Sequence, residues 1–150
     1  METMYQEYKD IVEFRLIYIR EAHSADGERP TQFAKDKGII QQQTYEQRCT
    51  TAKMLFDENK LTIPGLVDSM DNQTNTEYFA QPDRVFLVLK DGTLAVAGAK
   101  GPRGFQPAID DVEKWLIDYR KTLAESAREN PIDQQPQENP PSPDRSSSDR

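Results

Sequence analysis

The sequence predicts an α/β fold, a mixed sheet with flanking helices, on three observations. Val12 to Ile19 reads as a strand whose second half, Leu16 to Ile19, is continuously apolar, the pattern of a parallel strand covered by helices on both faces. Arg84 to Leu89 and Leu94 to Gly98 are apolar runs joined through Lys90-Asp-Gly-Thr93, which reads as a β-hairpin. From Pro107 onward, Ile109, Val112, Trp115, Leu116 and Tyr119 recur at helical spacing, so a long amphipathic helix follows. A chain of 150 residues forms one domain with room for a proper core.

Taken in order, Met1 to Asp10 places Met4, Tyr5 and Tyr8 on one helical face and predicts a short amphipathic helix before the first strand. Asp26-Gly27 closes that strand. Glu28 to Gln43 is polar and broken by Pro30 and Gly38; it is read as a long surface loop anchored by Ile39 and Ile40. Thr44 is the expected N-cap of a helix carrying Tyr45, Arg48, Cys49, Ala52, Leu55 and Phe56 and fraying near Asn59. Ile63 to Asp68 is a second strand, with Pro64 tolerated near its start. A short helix over Ser69 to Thr76 is expected to bring Tyr78 and Phe79 against the core.

Ala99 to Gly104 is a glycine-rich loop with two cations, and its spacing matches no phosphate-binding fingerprint. Pro107 suits an early position in the last helix, where its missing amide costs nothing. Residues 1–128 are read as the folded domain and residues 129–150 as a disordered, Pro/Ser-rich acidic tail. Five of the ten prolines fall between Asn130 and Arg150, with Ile132 as the one aliphatic residue there.

Composition narrows the function. A net charge of −7 without a basic stripe excludes a nucleic-acid partner. No apolar run reaches the roughly 18 residues of a membrane span and no signal-peptide pattern opens the chain, so a soluble, cytoplasmic protein is expected. The single cysteine, Cys49, excludes an internal disulfide and a CxxC pair. A small buried hydrophobe is its first reading, and a reactive thiol the second.

Chemistry concentrates where the first strand ends. Arg20, Glu21 and His23, the one histidine, follow Ile19 directly, at the sheet edge where α/β proteins place ligands. On an extended backbone Glu21 and His23 point the same way, and a carboxylate beside an imidazole favours the protonated ring, a proton donor near neutral pH. A solvated strand end accounts for these residues equally well.

The order of elements, with Pro82 just ahead of the hairpin, resembles the later part of the thioredoxin fold, whose first strand is absent here and whose hairpin is preceded by a cis-proline. The run Ile17-Tyr-Ile-Arg-Glu-Ala-His-Ser-Ala-Asp-Gly27 is similar to the Y-I-x-E-A-H-x-x-D-G-W motif of the iodothyronine deiodinases and their bacterial relatives. Glu46-Gln-Arg48, Val67-Asp-Ser-Met70, Pro82-Asp-Arg84, Asp91-Gly92 and Gly101-Pro102 follow in that family's order, so the resemblance runs from Met1 to about Thr122.

The resemblance implies a thioredoxin-like oxidoreductase that removes iodine reductively from iodothyronine-like aromatics. A thiol reductant serves as cosubstrate, and neither cofactor nor metal takes part. His23 would carry the proton, Glu21 would orient and charge it, and Tyr18 would support the pocket; Lys100, Pro82 and Arg20 would contact substrate. The partners are then a small molecule and a thiol, with a homodimer left open. Glu28 and Gln42 stand where the family has tryptophan and often histidine. The family's selenocysteine or cysteine lies in a G-S-x-T-like segment upstream of Met1, so the expectation is a fragment without its nucleophile, for which Cys49 in another helix is a poor substitute. A non-catalytic thioredoxin-like binding module and a peroxiredoxin-like thiol peroxidase are the competing readings.

Overall fold

A computed structural model describes residues 1–129; the predicted tail lies outside the described residues. The elements are α1 Glu2–Tyr8, β1 Leu16–Tyr18, α2 Gln32–Lys37, α3 Tyr45–Glu58, β2 Gly65–Val67, α4 Gln73–Glu77, β3 Phe86–Val88, β4 Leu94–Ala97 and α5 Phe105–Glu129. The chain is mixed α/β, but its strands form two two-stranded sheets where one mixed sheet was expected. β1 runs parallel to β2, with Leu16, Ile17 and Tyr18 opposite Gly65, Leu66 and Val67. β3 and β4 form the antiparallel hairpin, with an irregularity between Leu87 and Val88.

β1 is much shorter than Val12–Ile19. A ladder needs a partner, and β2 supplies one only beyond Pro64, which lacks an amide donor. The last rung before the pair is Leu16 donating to the Pro64 carbonyl at 3.0 Å. The expectation of helices over both faces also fails, since Ile17 is 39% and Leu66 51% exposed. α2 occupies the stretch read as a loop. Thr31 accepts from the Ala34 amide and Gly38 closes the helix at φ 64°, a left-handed C-cap that glycine adopts without strain. Only Ala34 of this helix is buried, so no apolar period announces it. α3 begins as expected, with Thr44 accepting from the Gln47 amide.

One core joins these parts. Met4 and Tyr8 from α1, Phe14, Ile63, Leu87 from β3, and Ile109, Val112 and Leu116 from α5 form a single buried cluster. α1 is pinned at both ends. Glu2 accepts from the Thr62 amide at 2.9 Å, and Arg120 of α5 donates to Glu7 while its guanidinium lies 4.0 Å from the Tyr8 ring centroid. Tyr78 and Phe79, expected inside, are 43% and 66% exposed. α5 turns its apolar stripe inward, and no helix of the described residues is long and apolar enough to cross a membrane.

Leu116 is fully buried, so Leu116→Ala is expected to cost about 2–5 kcal/mol in urea unfolding, with exposed Leu94→Ala within about 0.5 kcal/mol of the parent. Hydrogen bonds from Gln6 and Thr62 hold the Glu2 carboxyl down from its ordinary 4.5 to about 2. A depressed carboxylate stabilises above its unfolded pKa and loses that contribution as pH falls through the folded one. Glu2→Gln should therefore flatten the loss of thermal stability as pH falls from 4.5 to about 2.

Candidate functional site

The end of β1 is built around a buried phenol. Tyr18 is half-buried and donates its hydroxyl to Glu21 Oε2 at 2.8 Å. Burial first, and then the Glu21 carboxylate, push the Tyr18 phenol far above its ordinary value; Arg48 and Gln42 pull weakly the other way. Tyr18 thus stays a neutral donor, and Glu21 is its acceptor.

Past Tyr18 the backbone leaves the extended conformation and bends, so the expected side-by-side placement of Glu21 and His23 does not occur. Glu21 Oε1 instead receives the His23 backbone amide at 3.4 Å. The His23 ring is held by a different group: Nδ1 lies 2.9 Å from the Arg29 carbonyl oxygen. A carbonyl can only accept, so Nδ1 carries the hydrogen and Nε2 is the free nitrogen. His23 is exposed, and no hydrogen bond among the described residues engages Nε2. The ring's hydrogen-bond partner is thus the main chain of Arg29 rather than Glu21.

That loop is firmly stitched. Ala25 donates to the Ile39 carbonyl at 2.7 Å, Thr31 to that of His23 at 3.3 Å, and Asp26 accepts from the Gln41 amide at 2.9 Å. The Gln41 amide, then the Ser24 hydroxyl, lowers the Asp26 carboxyl. Asp26 of the motif thus ties the loop to Gln41. Behind it, Arg48 is 2% exposed and donates to the carbonyls of Asp68 and Ser69 at 3.2 and 2.6 Å and to Asn72 Oδ1 at 3.0 Å. Asp68, also buried, accepts from the amides of Thr74 and Asn75 at 3.0 and 2.9 Å. Burial raises its carboxyl, but the amides of Asn75 and Thr74 outweigh it and the net shift is downward.

Arg48, Asp68 and Gln42 are the site-framing residues that sequence reasoning left without a role. The signal was there for Arg48, a cation on the apolar stripe of α3. Gln42 is 4% exposed and donates to the Ile40 carbonyl at 2.8 Å, with its own Oε1 unpartnered.

A second group forms at the hairpin. The Gln81–Pro82 bond is cis, as is Gly101–Pro102. Arg84 donates Nε to the Gly98 carbonyl at 2.6 Å and NH1 to the Tyr78 carbonyl at 2.9 Å, and Gly101 donates to the Asp83 carbonyl at 3.0 Å. A Cβ at Gly101 would collide with the Asp83 carboxylate, so any larger residue there would require the Asp83 side chain to shift. The Gly101–Asp83 bond thereby sets the loop that carries Lys100 against the segment that carries Pro82. Beside them, a cleft of about 770 Å³ runs between β4, the glycine-rich loop and α5, lined by Lys100, Arg103, Asp111, Lys114 and Trp115 among others.

Each group is internally assembled, yet the two stand on different sheets. Arg20 is exposed, and no hydrogen bond or ion pair among the described residues holds it. Cys49 is half-buried on α3, where its hydrogen bond raises the Tyr45 phenol. Among the described residues, no three His, Cys, Asp or Glu side chains gather as a metal site.

The sequence model of a family described as iodothyronine deiodinase matches residues 1–120. The chain is 32% identical over 132 residues to a thyroxine 5-deiodinase of Sparus aurata, covering 83% of this chain and 45% of that protein. To a type II iodothyronine deiodinase of Neoceratodus forsteri it is 35% identical over 120 residues, covering 77% and 44%. To a thyroxine 5-deiodinase of Bos taurus it is 30% identical over 122 residues, covering 81% and 38%. The chain thus spans less than half the length of these relatives.

A phenol whose folded pKa lies above its unfolded value stabilises fully below the unfolded value and loses that contribution as pH rises. The parent should therefore lose stability as pH rises above the phenol's ordinary pKa of 10.0, and Tyr18→Phe should flatten that alkaline limb in urea midpoints taken across it; an unchanged limb would remove the half-buried phenol from this account.

Proposed function

The chain belongs to the iodothyronine deiodinase family, and on that premise we propose that it forms the proton-donating and substrate-holding side of a reductive deiodination site on a thioredoxin-like scaffold. The substrate is an iodinated aromatic of iodothyronine type, and the reductant a small thiol. Each turnover converts an aryl iodide and a pair of thiols into the arene, a disulfide and hydrogen iodide. The C–I bond breaks with iodine passing to a thiolate or selenolate, and the ring carbon takes a proton.

The observation that carries the reading is the His23 ring, tethered through Nδ1 to the Arg29 carbonyl with Nε2 free. A ring fixed at one nitrogen can gain a proton at the other and deliver it without reorienting. Tyr18 and Glu21 support it indirectly: their hydrogen bond closes the turn that sets the His23 backbone. Lys100 and Pro82, on two loops joined by the Gly101–Asp83 hydrogen bond, would contact substrate, Lys100 through an anionic substituent.

A non-catalytic binding module on the same scaffold is favoured by one observation: the thiol of Cys49 sits on α3 beside Tyr45, outside the His23 group. Iodide release from an iodothyronine in excess dithiothreitol separates the two. For the enzyme, assayed in a form extended upstream to carry the family's selenocysteine or cysteine, turnover falls about 10²–10⁴-fold in His23→Ala with the circular dichroism spectrum unchanged, and survives Cys49→Ser. Turnover of that form indifferent to His23→Ala discards the proton role, and binding by it without iodide release establishes the module.

A further inference from the structure

The two groups that the proposed chemistry needs stand on sheets that share no ladder. Above the common core, the segment from Asp68 to Arg84 runs from one group to the other. Its regular element is α4, five residues long and too short to hold itself. An arginine grips each end.

At the first end, Arg48 binds the Asp68 and Ser69 carbonyls through Nη1 and Asn72 Oδ1 through Nη2. All three acceptors are neutral, and among the described residues no carboxylate pairs with this buried guanidinium. Burying a cation against neutral oxygens is a costly way to stabilise a fold; what the planar fork supplies is geometry. Asp68 carries that geometry two ways. Its amide donates to the Tyr18 carbonyl at 2.8 Å, at the end of the β1–β2 pair, and its carboxylate accepts the early α4 amides of Thr74 and Asn75. Tyr18 in turn holds Glu21, and Glu21 the His23 amide.

At the other end, Ala80 donates to the Asn75 carbonyl at 3.0 Å and Phe79 to that of Thr76 at 3.3 Å. This is a Schellman close, whose left-handed residue is ordinarily glycine. Phe79 takes that conformation at φ 49° and is 66% exposed, so the strain of a bulky residue there is not offset by burial. The bonds on either side of it impose the conformation. Arg84 holds the Tyr78 carbonyl, just before Phe79, and with Nε the Gly98 carbonyl, two residues before Lys100.

We infer that α4 is a brace between the two groups and that Arg48 and Arg84 are its positioning residues, Arg48 clamping the end beside the His23 group and Arg84 the end beside Pro82 and Lys100. Neither arginine touches the reacting atoms. The inference rests on the proposed function for what the spacing accomplishes, a proton donor and a substrate-holding loop kept in register.

Amide hydrogen exchange on the whole chain tests it, because a brace transmits what two separate clamps do not. Arg84→Met should speed exchange at Ala80 and also, at the far end, at Thr74 and Asn75, by roughly tenfold. Arg48→Met should speed Thr74 and Asn75 and, at its far end, Ala80. The amide of Leu116, in the core, should keep its parent rate, which marks the opening as local. In the double variant the increases should exceed those of the worse single by no more than about twofold. Arg48→Lys and Arg84→Lys keep the charge without the fork and carry the same comparison if a methionine variant does not fold. In the form extended upstream, each variant should both raise KM and lower kcat, whereas separate clamps would confine Arg48→Met to kcat and Arg84→Met to KM. Exchange that stops at the mutated end, increases that multiply in the double variant, or kinetics divided in that way overturn the brace. Transmitted exchange in a protein whose extended form releases no iodide keeps the brace and rejects only the deiodination reading.

Discussion

Two-stranded sheets do not persist alone in water, and the buried stripe of α5 is what allows this chain to have two of them. Ile109, Val112 and Leu116 meet Leu87 of the hairpin, Phe14 and Ile63 that lead into the parallel pair, and Met4 and Tyr8 of α1 in one cluster. Each sheet buries one side of a few residues and exposes the other. The functional loops inherit their positions from this shared floor, because neither sheet carries enough apolar area to hold a loop still by itself.

Above that floor the site is organised mostly by main-chain carbonyls and amides. Arg48 binds two carbonyls and an amide oxygen, Arg84 binds two carbonyls, and the His23 ring leans on a third element's carbonyl. Such contacts fix loop geometry while leaving side chains at the rim free. They also leave costs: Arg48 Nε and Gln42 Oε1 are buried without partners near Tyr18, and unpaired buried polar atoms lower stability.

How much of this was legible varied with how far each feature depended on its own neighbours in sequence. The hairpin, the Thr44 cap and the stripe of α5 were local and appeared as read. β1 was over-extended because strand length is set by the partner, and Pro64 cannot be weighed until one knows it lies opposite. α2 stayed hidden because a helix burying only Ala34 has no period to detect. The spacing of Glu21 and His23 suggested contact, but that inference needed an extended backbone which the bend after Tyr18 withholds; the ring's real partner, Arg29, is a backbone atom and leaves no trace in residue type. Tyr78 and Phe79 were placed inside on hydrophobicity alone, and the capping geometry that turns Phe79 outward follows from where α4 stops.

The fastening of α1 bears on how this chain becomes a protein during synthesis. A seven-residue helix is too short to hold itself, and its clasps are remote: Thr62 lies 60 residues beyond Glu2, and Arg120 lies 113 beyond Glu7. α1 leaves the ribosome well before Thr62 and Arg120, yet gains its last partner only when most of α5 has emerged. Until then Met4, Tyr5 and Tyr8 are an apolar face without a seat, available to chaperones. A segment made early is thus among the last to be secured.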